Sequence, residues 1–442
     1  MTVRADSPLR TAIAALAVAA IAACTPPQRI SHPVALGPGS DVPVIFMPGT
    51  SGTTLVETTT GRTVWGDFRS FFFPRDNGHA LAAPLDGSAD HVAAGSVMLN
   101  VGLPGYNRPV YGPLLESMQS FGYRIGNLQN PAKGDDFFFF AYDWRLGSVA
   151  NAGELERKLE NLRRARGEDV LHVALVAQSG AAHIARYFLK YGSSSLDQSE
   201  SGTARPPSAI RVDKLVLVGT SNGGSIRILR EMNRGRRYAP LGRYFSPEVF
   251  FTFQSLYDDL PTYTGDLFVD GAGNPVRIDL FDADQWRRYG WSVFDPDVER
   301  RIRKDARFGS EQGRLNWLRT RLSDARRLRA LLERDTPAIS GTRYYSIQDR
   351  FEPTPTRAVV TRGSKGWKTS FAGDPEVDRN PWLRHLVTSP GDRHATVPSQ
   401  QWLSEQEIAA FAEEPLLFEG AHFEIVLNPA MHRRLAEILA AP

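Results

Sequence analysis

The chain has 442 residues, of which 42% are hydrophobic, and this is enough apolar material for a large buried core. Its formal net charge of +3 is small and no nucleic-acid-binding motif accompanies it, so the sequence gives no support for a nucleic-acid partner. The single cysteine excludes a disulfide framework and a thiolate metal site. Neither His-x-His nor His-Glu-x-x-His spacing occurs, so we expect no metal and no cofactor.

The N-terminal segment has the pattern of a bacterial lipoprotein signal peptide. Arg4 and Arg10 precede an apolar stretch, Ala12 to Ala23, that is too short to span a bilayer. The stretch runs into Cys24, so residues 1–24 are predicted to be a signal peptide with a lipobox, and Cys24 the lipidated first residue of the mature chain. This predicts a lipid-anchored protein of the bacterial cell envelope that faces the extracytoplasmic side of a membrane. The alternative is an ordinary secretory signal in which the cysteine stands by chance.

A proline- and glycine-rich segment, residues 25–41, follows and is predicted to be a tether. The apolar run Val42–Met47 then indicates a buried strand, which ends in the turn Pro48-Gly49-Thr50. A glycine in such a turn lets the backbone approach a ligand closely. The alternative is a simple Pro-Gly turn after a strand.

A buried strand, a sharp turn and a helix are predicted to meet at Ser179. Residues 173–178 are mostly apolar, and residues 182–189 have an apolar helical pattern. This arrangement is typical of a nucleophile elbow, in which a strained turn lifts a serine hydroxyl above the end of a sheet. Ala177 and Ala181 stand where glycine is usual, which weakens the match.

The segment between the strand after the elbow and the next predicted strand, Thr342–Ile347, is long enough to be a separate layer. Residues 226–338 are therefore predicted to be a cap insertion into a core made of residues 42–225 and 339–442. Its leucines recur at spacings of three and four over residues 315–332, which predicts an amphipathic helix. The opposite face carries six arginines, which either contact anionic lipid headgroups or are simply solvated.

A serine becomes a nucleophile only when a histidine takes its proton and an acid orients that histidine. Asp392 lies in a loop bounded by glycine and proline, and His422 follows a short apolar run and a glycine. The chain order Ser179, Asp392, His422 is the order of nucleophile, acid and base that accompanies an elbow of this type. The natural oxyanion-hole donors are the N–H groups of Thr50 and of Gly180, the residue after the nucleophile.

Other interpretations of these residues stay open in the sequence. The alternative for Asp392 is a turn aspartate that bonds its own loop, and the alternative for His422 is a packed or capping histidine before the last helix. His394 is a rival base, but its place two residues after Asp392 suits it better to line the site. His183, four residues after the serine, is expected to pack in the core.

Several stretches, taken in order, resemble the lecithin:cholesterol acyltransferase-like family of α/β-hydrolases, which includes lysosomal phospholipase A2 and bacterial relatives. The similar stretches are Val44–Gly49, Phe140–Arg145, Val218–Ser225 and the acid loop Gly391–Pro398. The Tyr-Asp-Trp-Arg string at residues 142–145 is the most specific of them. The chain departs from the family at Gln178, where histidine is usual, at the two elbow alanines, and at residues 393–395, which are extra in the acid loop.

The resemblance implies an α/β-hydrolase fold, with a mostly parallel central sheet, helices on both faces and a large cap insertion. It also implies serine-dependent acyl transfer on lipid esters through an acyl-enzyme. Water as acceptor would make the protein a lipase or phospholipase, and a lipid alcohol would make it an O-acyltransferase. Trp65 stands where relatives carry a tryptophan near the acyl site, so it is a candidate substrate contact.

The partners expected on this basis are a lipid ester substrate and a membrane, reached through the lipidated N terminus. A different class of function is a catalytically silent lipoprotein that keeps the hydrolase fold and binds lipid or a partner. Retention of a serine, an aspartate and a histidine in the right order favours the enzyme, because a binding protein needs none of the three.

Overall fold

The computed structural model describes residues 41–72, 76–85, 88–103, 106–238, 244–364 and 366–441. The predicted signal peptide, the predicted lipidation site Cys24 and the predicted tether up to residue 40 lie outside these ranges. Within them, no helix combines the length and the apolar character that crossing a bilayer requires.

The strands are β1 Val44–Met47, β2 Thr53–Glu57, β3 Thr63–Trp65, β4 Val92–Val97, β5 Asn100–Leu103, β6 Tyr106–Pro109, β7 Ile125–Gly126, β8 Phe137–Phe139, β9 Leu171–Gln178, β10 Ile210–Val218, β11 Arg236–Arg237, β12 Tyr244–Phe245, β13 Phe268–Val269, β14 Arg343–Gln348, β15 Glu352–Pro355, β16 Ala358–Gly363, β17 Gly366–Ser370, β18 Thr388–Gly391 and β19 Leu416–Leu417. The α-helices span Phe68–Phe72, Gly112–Ser120, Ser148–Arg166, Ala181–Tyr191, Leu196–Glu200, Ile226–Arg234, Pro247–Phe250, Gln254–Asp258, Ala283–Tyr289, Pro296–Ile302, Glu311–Glu333, Pro375–Asp378, Pro381–Val387, Val397–Gln400, Glu405–Ala409 and Pro429–Ala440.

Seven of these strands form a central sheet in the order β19-β14-β10-β9-β1-β8-β7. Every neighbouring pair is parallel, and Ile45 of β1 lies opposite Leu175 of β9. Strand β1 is buried along its whole length, as expected for a parallel strand that is covered on both faces. The prediction of a mostly parallel central sheet is confirmed.

Helices cover both faces of this sheet. The helix Ser148–Arg166 packs against Ala181–Tyr191, and Gly112–Ser120 packs against Pro429–Ala440. From β1 the chain adds strands on one side of the sheet, toward β7, and from β9 onward it adds strands on the other side, toward β19. Right-handed crossovers in these two directions place the two helix pairs on opposite faces of the sheet. The direction in which strands are added reverses between β1 and β9. The carboxyl ends of these two strands therefore border the crevice where this class of sheet binds ligands.

The long helix Glu311–Glu333 lies in the predicted cap and buries the predicted apolar stripe, namely Leu315, Leu318, Leu322, Ala325, Leu328 and Leu332. Its arginine face is largely paired inside the chain. Arg319 contacts Asp284, Arg326 contacts Asp279, and Arg327 contacts Asp197 and Glu200, while Arg314 and Arg329 are buried. These acids pair with arginines that the sequence analysis considered as contacts for anionic lipid headgroups.

A three-stranded sheet joins two separate parts of the sequence. Strand β13 lies in the predicted cap, yet it pairs with β16, and β16 pairs in turn with β17. Strands β16 and β17 fall in the predicted core segment 339–442, and local patterns do not reveal pairing between strands so far apart. Strands β15 and β18 form a two-stranded sheet that leads directly into the acid loop.

Candidate active site

Ser179 occupies the turn between β9 and the helix Ala181–Tyr191. Its φ of 57° is left-handed, a conformation that costs a non-glycine residue roughly 1–3 kcal/mol and that persists only where the surroundings impose it. The serine N–H donates to the carbonyl of Val218 in β10 at 3.1 Å, which ties the turn to the neighbouring strand. Neither Ala177 nor Ala181 has a positive φ, so the elbow forms without glycine at these positions.

The three residues of the predicted triad form one hydrogen-bonded chain. His422 Nε2 lies 2.7 Å from Ser179 Oγ, and His422 Nδ1 lies 2.7 Å from Asp392 Oδ2. The His422 backbone N–H also donates to the Asp392 carbonyl at 2.8 Å, which fixes the two loops to each other. With Nδ1–H donating to the carboxylate, the Nε2 lone pair faces the serine hydroxyl and can take its proton.

Asp392 is completely buried and all of its carboxylate is used. While Oδ2 contacts His422, Oδ1 accepts the N–H groups of His394 at 2.9 Å and Ala395 at 2.7 Å. Burial acts to raise the pKa of Asp392, but the charge and hydrogen bond of His422 and the other donors outweigh it, and the pKa lies below its ordinary value. The acid therefore stays ionised and can stabilise a charged His422 ring.

The two predicted oxyanion donors lie side by side. Thr50 follows β1 and Gly180 follows the serine, and a Cβ built on Gly180 would lie 2.9 Å from Thr50 Oγ1. Among the described residues, neither backbone N–H has a hydrogen-bond partner. Free donors beside Ser179 have the arrangement that stabilises a developing oxyanion.

Gln178 holds in place the turn Pro48-Gly49-Thr50, the predicted oxyanion turn. The sequence did not reveal this role. The Gln178 side-chain oxygen accepts the Gly49 N–H at 2.7 Å and the Tyr111 hydroxyl at 2.9 Å. A Cβ on Gly49 would lie only 2.4 Å from that oxygen and 2.8 Å from the Ser179 Cβ, so only glycine fits. The departure from the family at Gln178 was visible, but Tyr111 is 67 residues away and no local pattern marks it.

The Tyr-Asp-Trp-Arg string supports the same turn from behind. The Tyr142 hydroxyl donates to the Pro48 carbonyl at 2.7 Å, and Trp144 Nε1 donates to the Thr53 carbonyl at 3.0 Å. The guanidinium of Arg145 binds Asp143 of its own string through two hydrogen bonds of 3.0 and 2.7 Å. The string thus fixes the backbone on both sides of Thr50.

Trp65 is packed among aromatic rings, with only 1% of its surface exposed. Its ring lies edge-on to Phe71, Trp144, Tyr238 and Phe245. Its indole N–H donates to the Ser51 carbonyl at 2.9 Å, next to Thr50. Trp65 therefore supports the oxyanion turn, and direct contact with a substrate stays a prediction.

The other two histidines near the serine do not contact it. His183 is buried as expected, and Arg329 donates to its Nε2 at 2.7 Å. Burial and the Arg329 charge lower the pKa of His183 to about 3, so its ring is neutral. His394 lies against the ring of His422 and bonds Asp259, a residue that the sequence did not single out.

A small cavity reaches the predicted oxyanion donors, and a larger cavity adjoins it. The larger, of about 510 Å³, touches none of the three triad residues. The small cavity, of about 10 Å³, touches Thr50 and Gly180, and both cavities share Leu146 and Ser148 in their walls. No group of His, Cys, Asp or Glu side chains suited to a metal ion occurs in the described part of the chain.

Comparison with known proteins supports the fold and leaves the family open. No protein-family model matches the chain, and no curated protein sequence matches it. A crystal structure of the Tle4–Tli4 complex aligns over 90% of this chain and 98% of that chain, with a TM-score of 0.57 and 14% identity. A crystal structure of Bacillus licheniformis lipase BlEst2 in mature form aligns over 93% and 96%, with a TM-score of 0.31 and 11% identity.

At 14% identity the likeness to the Tle4–Tli4 structure concerns the fold alone. With the parallel sheet and the elbow, it establishes the α/β-hydrolase fold predicted from the sequence. Membership of the lecithin:cholesterol acyltransferase-like family stays a prediction.

Proposed function

We propose that this protein is a serine-dependent enzyme that transfers acyl groups from lipid esters through an acyl-enzyme on Ser179. The observation that carries the proposal is the hydrogen-bonded chain from Asp392 through His422 to Ser179, with 2.7 Å at each step. A left-handed φ at a serine on a strand-to-helix turn supports the same role, since such strain collects at functional sites.

In the first half of the reaction, Ser179 Oγ attacks the ester carbonyl carbon while His422 Nε2 takes the hydroxyl proton. The carbonyl oxygen becomes an oxyanion and accepts hydrogen bonds from the N–H groups of Thr50 and Gly180, each worth about 2.7–4 kcal/mol in the transition state. The intermediate then collapses. The ester oxygen leaves with the proton from His422, and the acyl group stays on Ser179.

In the second half, an acceptor hydroxyl loses its proton to His422 and attacks the acyl carbon, which releases Ser179. Water as acceptor gives a lipase or phospholipase, and a lipid alcohol gives an O-acyltransferase of the lecithin:cholesterol acyltransferase-like type. The triad serves either acceptor equally. A lipid ester is proposed as donor because the strings at residues 142–145 and 391–398 resemble that family.

The location of the enzyme is part of the proposal. Lipidation of Cys24 would hold it at a bacterial membrane on the extracytoplasmic side, next to its substrate. The test is fractionation of cells that express the full chain with Cys24 or with Cys24→Ala. Recovery of the variant in the soluble extracytoplasmic fraction supports the anchor, and equal membrane recovery of both contradicts it.

The test of the function is turnover of vesicles of a diacyl phospholipid, with and without a sterol or other lipid alcohol. Wild type, Ser179→Ala and His422→Ala are compared with His172→Ala, which removes an exposed ring paired with Asp213 at the other end of β9. Fatty acid or a new ester that appears with wild type and His172→Ala alone supports the proposal. Folded wild type that binds vesicles without turnover contradicts it and favours the silent lipid-binding protein.

A further inference from the structure

We propose that His394 and Asp259 form a second histidine–aspartate pair, which positions the ring of His422 and balances its charge during acyl transfer. The inference rests on the proposed function, because it assigns His394 a role toward the base of that same site. His394 is a positioning residue, since its ring contacts His422 and not Ser179.

The ring of His394 packs against the ring of His422 in a tilted arrangement. Their centroids are 4.4 Å apart, and their planes make an angle of 33°. The His394 backbone N–H donates to Asp392 Oδ1 at 2.9 Å, and the His394 carbonyl accepts a hydrogen bond from Ser225 Oγ. The backbone of His394 is therefore fixed to Asp392, and its ring lies in contact with the ring of His422.

Asp259 fixes the far side of the His394 ring. Its Oδ2 lies 3.3 Å from His394 Nε2, and its Oδ1 accepts the Ser221 hydroxyl at 2.6 Å. The Asp259 carbonyl accepts the Ser225 N–H at 2.9 Å, so the backbone is held as well. Because Asp259 lies in the predicted cap and His394 in the acid loop, the cap completes the surroundings of the base.

The charges explain why a second aspartate belongs here. His422 becomes an imidazolium during each half-reaction, and a charged His394 in contact with it would repel that charge. Burial and the nearby His422 keep the pKa of His394 below its ordinary value, although Asp259 acts in the opposite direction. His394 is thus neutral when His422 is charged, and the Asp259 carboxylate supplies the compensating negative charge.

Asp259 itself stays ionised in this setting. Burial acts to raise its pKa, but the hydrogen bonds from His394 and from the Ser221 hydroxyl act against burial, and the pKa lies below its ordinary value. The remaining charged groups that face His394 are Asp392 on its own loop and Arg227 and Glu231 on the helix Ile226–Arg234. Arg227 pairs with Glu231 at 3.0 Å, so these two largely cancel each other.

The experiment measures the rate at which a fluorophosphonate modifies Ser179 as a function of pH, from about pH 5 to about pH 9. His394→Ala removes the ring, His394→Phe keeps a flat ring without the bond to Asp259, and Asp259→Asn removes the charge while keeping the shape. His172→Ala is the matched control, because it breaks an exposed histidine–aspartate pair away from the site. The thermal midpoint of each variant reports its folding.

The inference predicts a rate at least about 10-fold lower for His394→Ala and within about 3-fold of wild type for His394→Phe, since packing on His422 is retained. It predicts that Asp259→Asn moves the acid limb of the profile to lower pH, because a carboxylate that favours the charged His422 is lost. Equal rates and an unchanged profile in all folded variants would overturn it.

A second measurement separates failure of this inference from failure of the proposed function. If wild type does not react with the fluorophosphonate at all, the proposed function fails. The positioning role of His394 is then tested by the NMR signal of the His422 Nδ1–H proton in histidine-labelled protein. The inference then predicts that this signal persists in His172→Ala and is lost in His394→Ala. Equal signals in both variants would overturn the inference on its own.

Discussion

The side-chain oxygen of Gln178 accepts the backbone N–H of Gly49 at 2.7 Å, and so joins the end of β9 to the turn after β1. Gln178 precedes Ser179, the proposed nucleophile, and Gly49 precedes Thr50, the proposed oxyanion donor. One amide side chain thus sets the distance between the two halves of the proposed catalytic site. The Tyr111 hydroxyl, which donates to the same oxygen, completes the contact.

Replacing Gln178 should therefore impair both stability and turnover. Gln178→Ala leaves two buried donors without their main acceptor, and we expect the free energy of unfolding to fall by about 1–3 kcal/mol. Turnover should fall about 10-fold or more, because the oxyanion turn is no longer held against the serine. Urea unfolding and ester turnover measure the two effects.

Tyr111→Phe is the matched comparison for this prediction. It removes one donor but leaves the Gly49 contact to Gln178, so its stability loss should stay near about 1 kcal/mol, with most turnover retained. An equal loss of turnover in the two variants would contradict the role given to the Gln178 contact.

Asp392→Asn tests the orientation of the base. The Asn oxygen can still accept the N–H groups of His394 and Ala395, which turns its NH₂ toward His422 Nδ1. His422 would then carry its proton on Nε2, facing Ser179, and could not accept the hydroxyl proton. We expect turnover to fall by about 10⁴-fold with little change in substrate binding. A loss below about 10-fold would show that Asp392 does not orient the base.

A buried ion pair makes stability depend on pH below neutrality. Glu407 receives two hydrogen bonds from Arg186 of the elbow helix, at 2.8 and 2.7 Å, and both side chains are inaccessible to solvent. Burial acts to raise the pKa of Glu407, but the Arg186 charge and its hydrogen bonds lower it to about 2. A depressed folded pKa means that the stabilisation is present above the ordinary value of 4.5 and is lost as pH falls toward 2.

We therefore expect Glu407→Gln to lower the free energy of unfolding by about 3–5 kcal/mol at about pH 7, because it leaves Arg186 buried without its counter-charge. The difference from wild type should shrink at about pH 3, where wild-type Glu407 has already lost part of its stabilising effect. Asp279→Asn, which breaks an exposed pair with Arg326, should cost no more than about 1 kcal/mol. A Glu407→Gln deficit that is the same at both pH values would contradict this account.

The fold could be predicted, and the three residues proposed as a triad could be singled out, because each lies in a local pattern. Ser179 follows an apolar strand, Asp392 lies in a bounded loop, and His422 follows a glycine turn, so neighbours in the sequence were enough to place them. The same holds for the leucine stripe of the cap helix. Its period is set by the helix itself.

The partners of these residues could not be predicted, because they come from distant segments. Asp259 is 135 residues from His394, and Gly49 is 129 residues from Gln178. The acids that pair with the arginine face, such as Asp197 and Asp279, are likewise remote in sequence. Only the folded chain brings such groups together, so a pattern of residue types within one segment carries no trace of them.

The most direct test of the central claim is the intact mass of purified protein after reaction with a fluorophosphonate. Wild type is compared with Ser179→Ala and with Ser201→Ala, which removes an exposed serine in a surface turn. The account predicts one phosphonyl group on wild type and on Ser201→Ala, and none on Ser179→Ala. Folded wild type that stays unmodified, or Ser179→Ala that reacts at the wild-type rate, would contradict it.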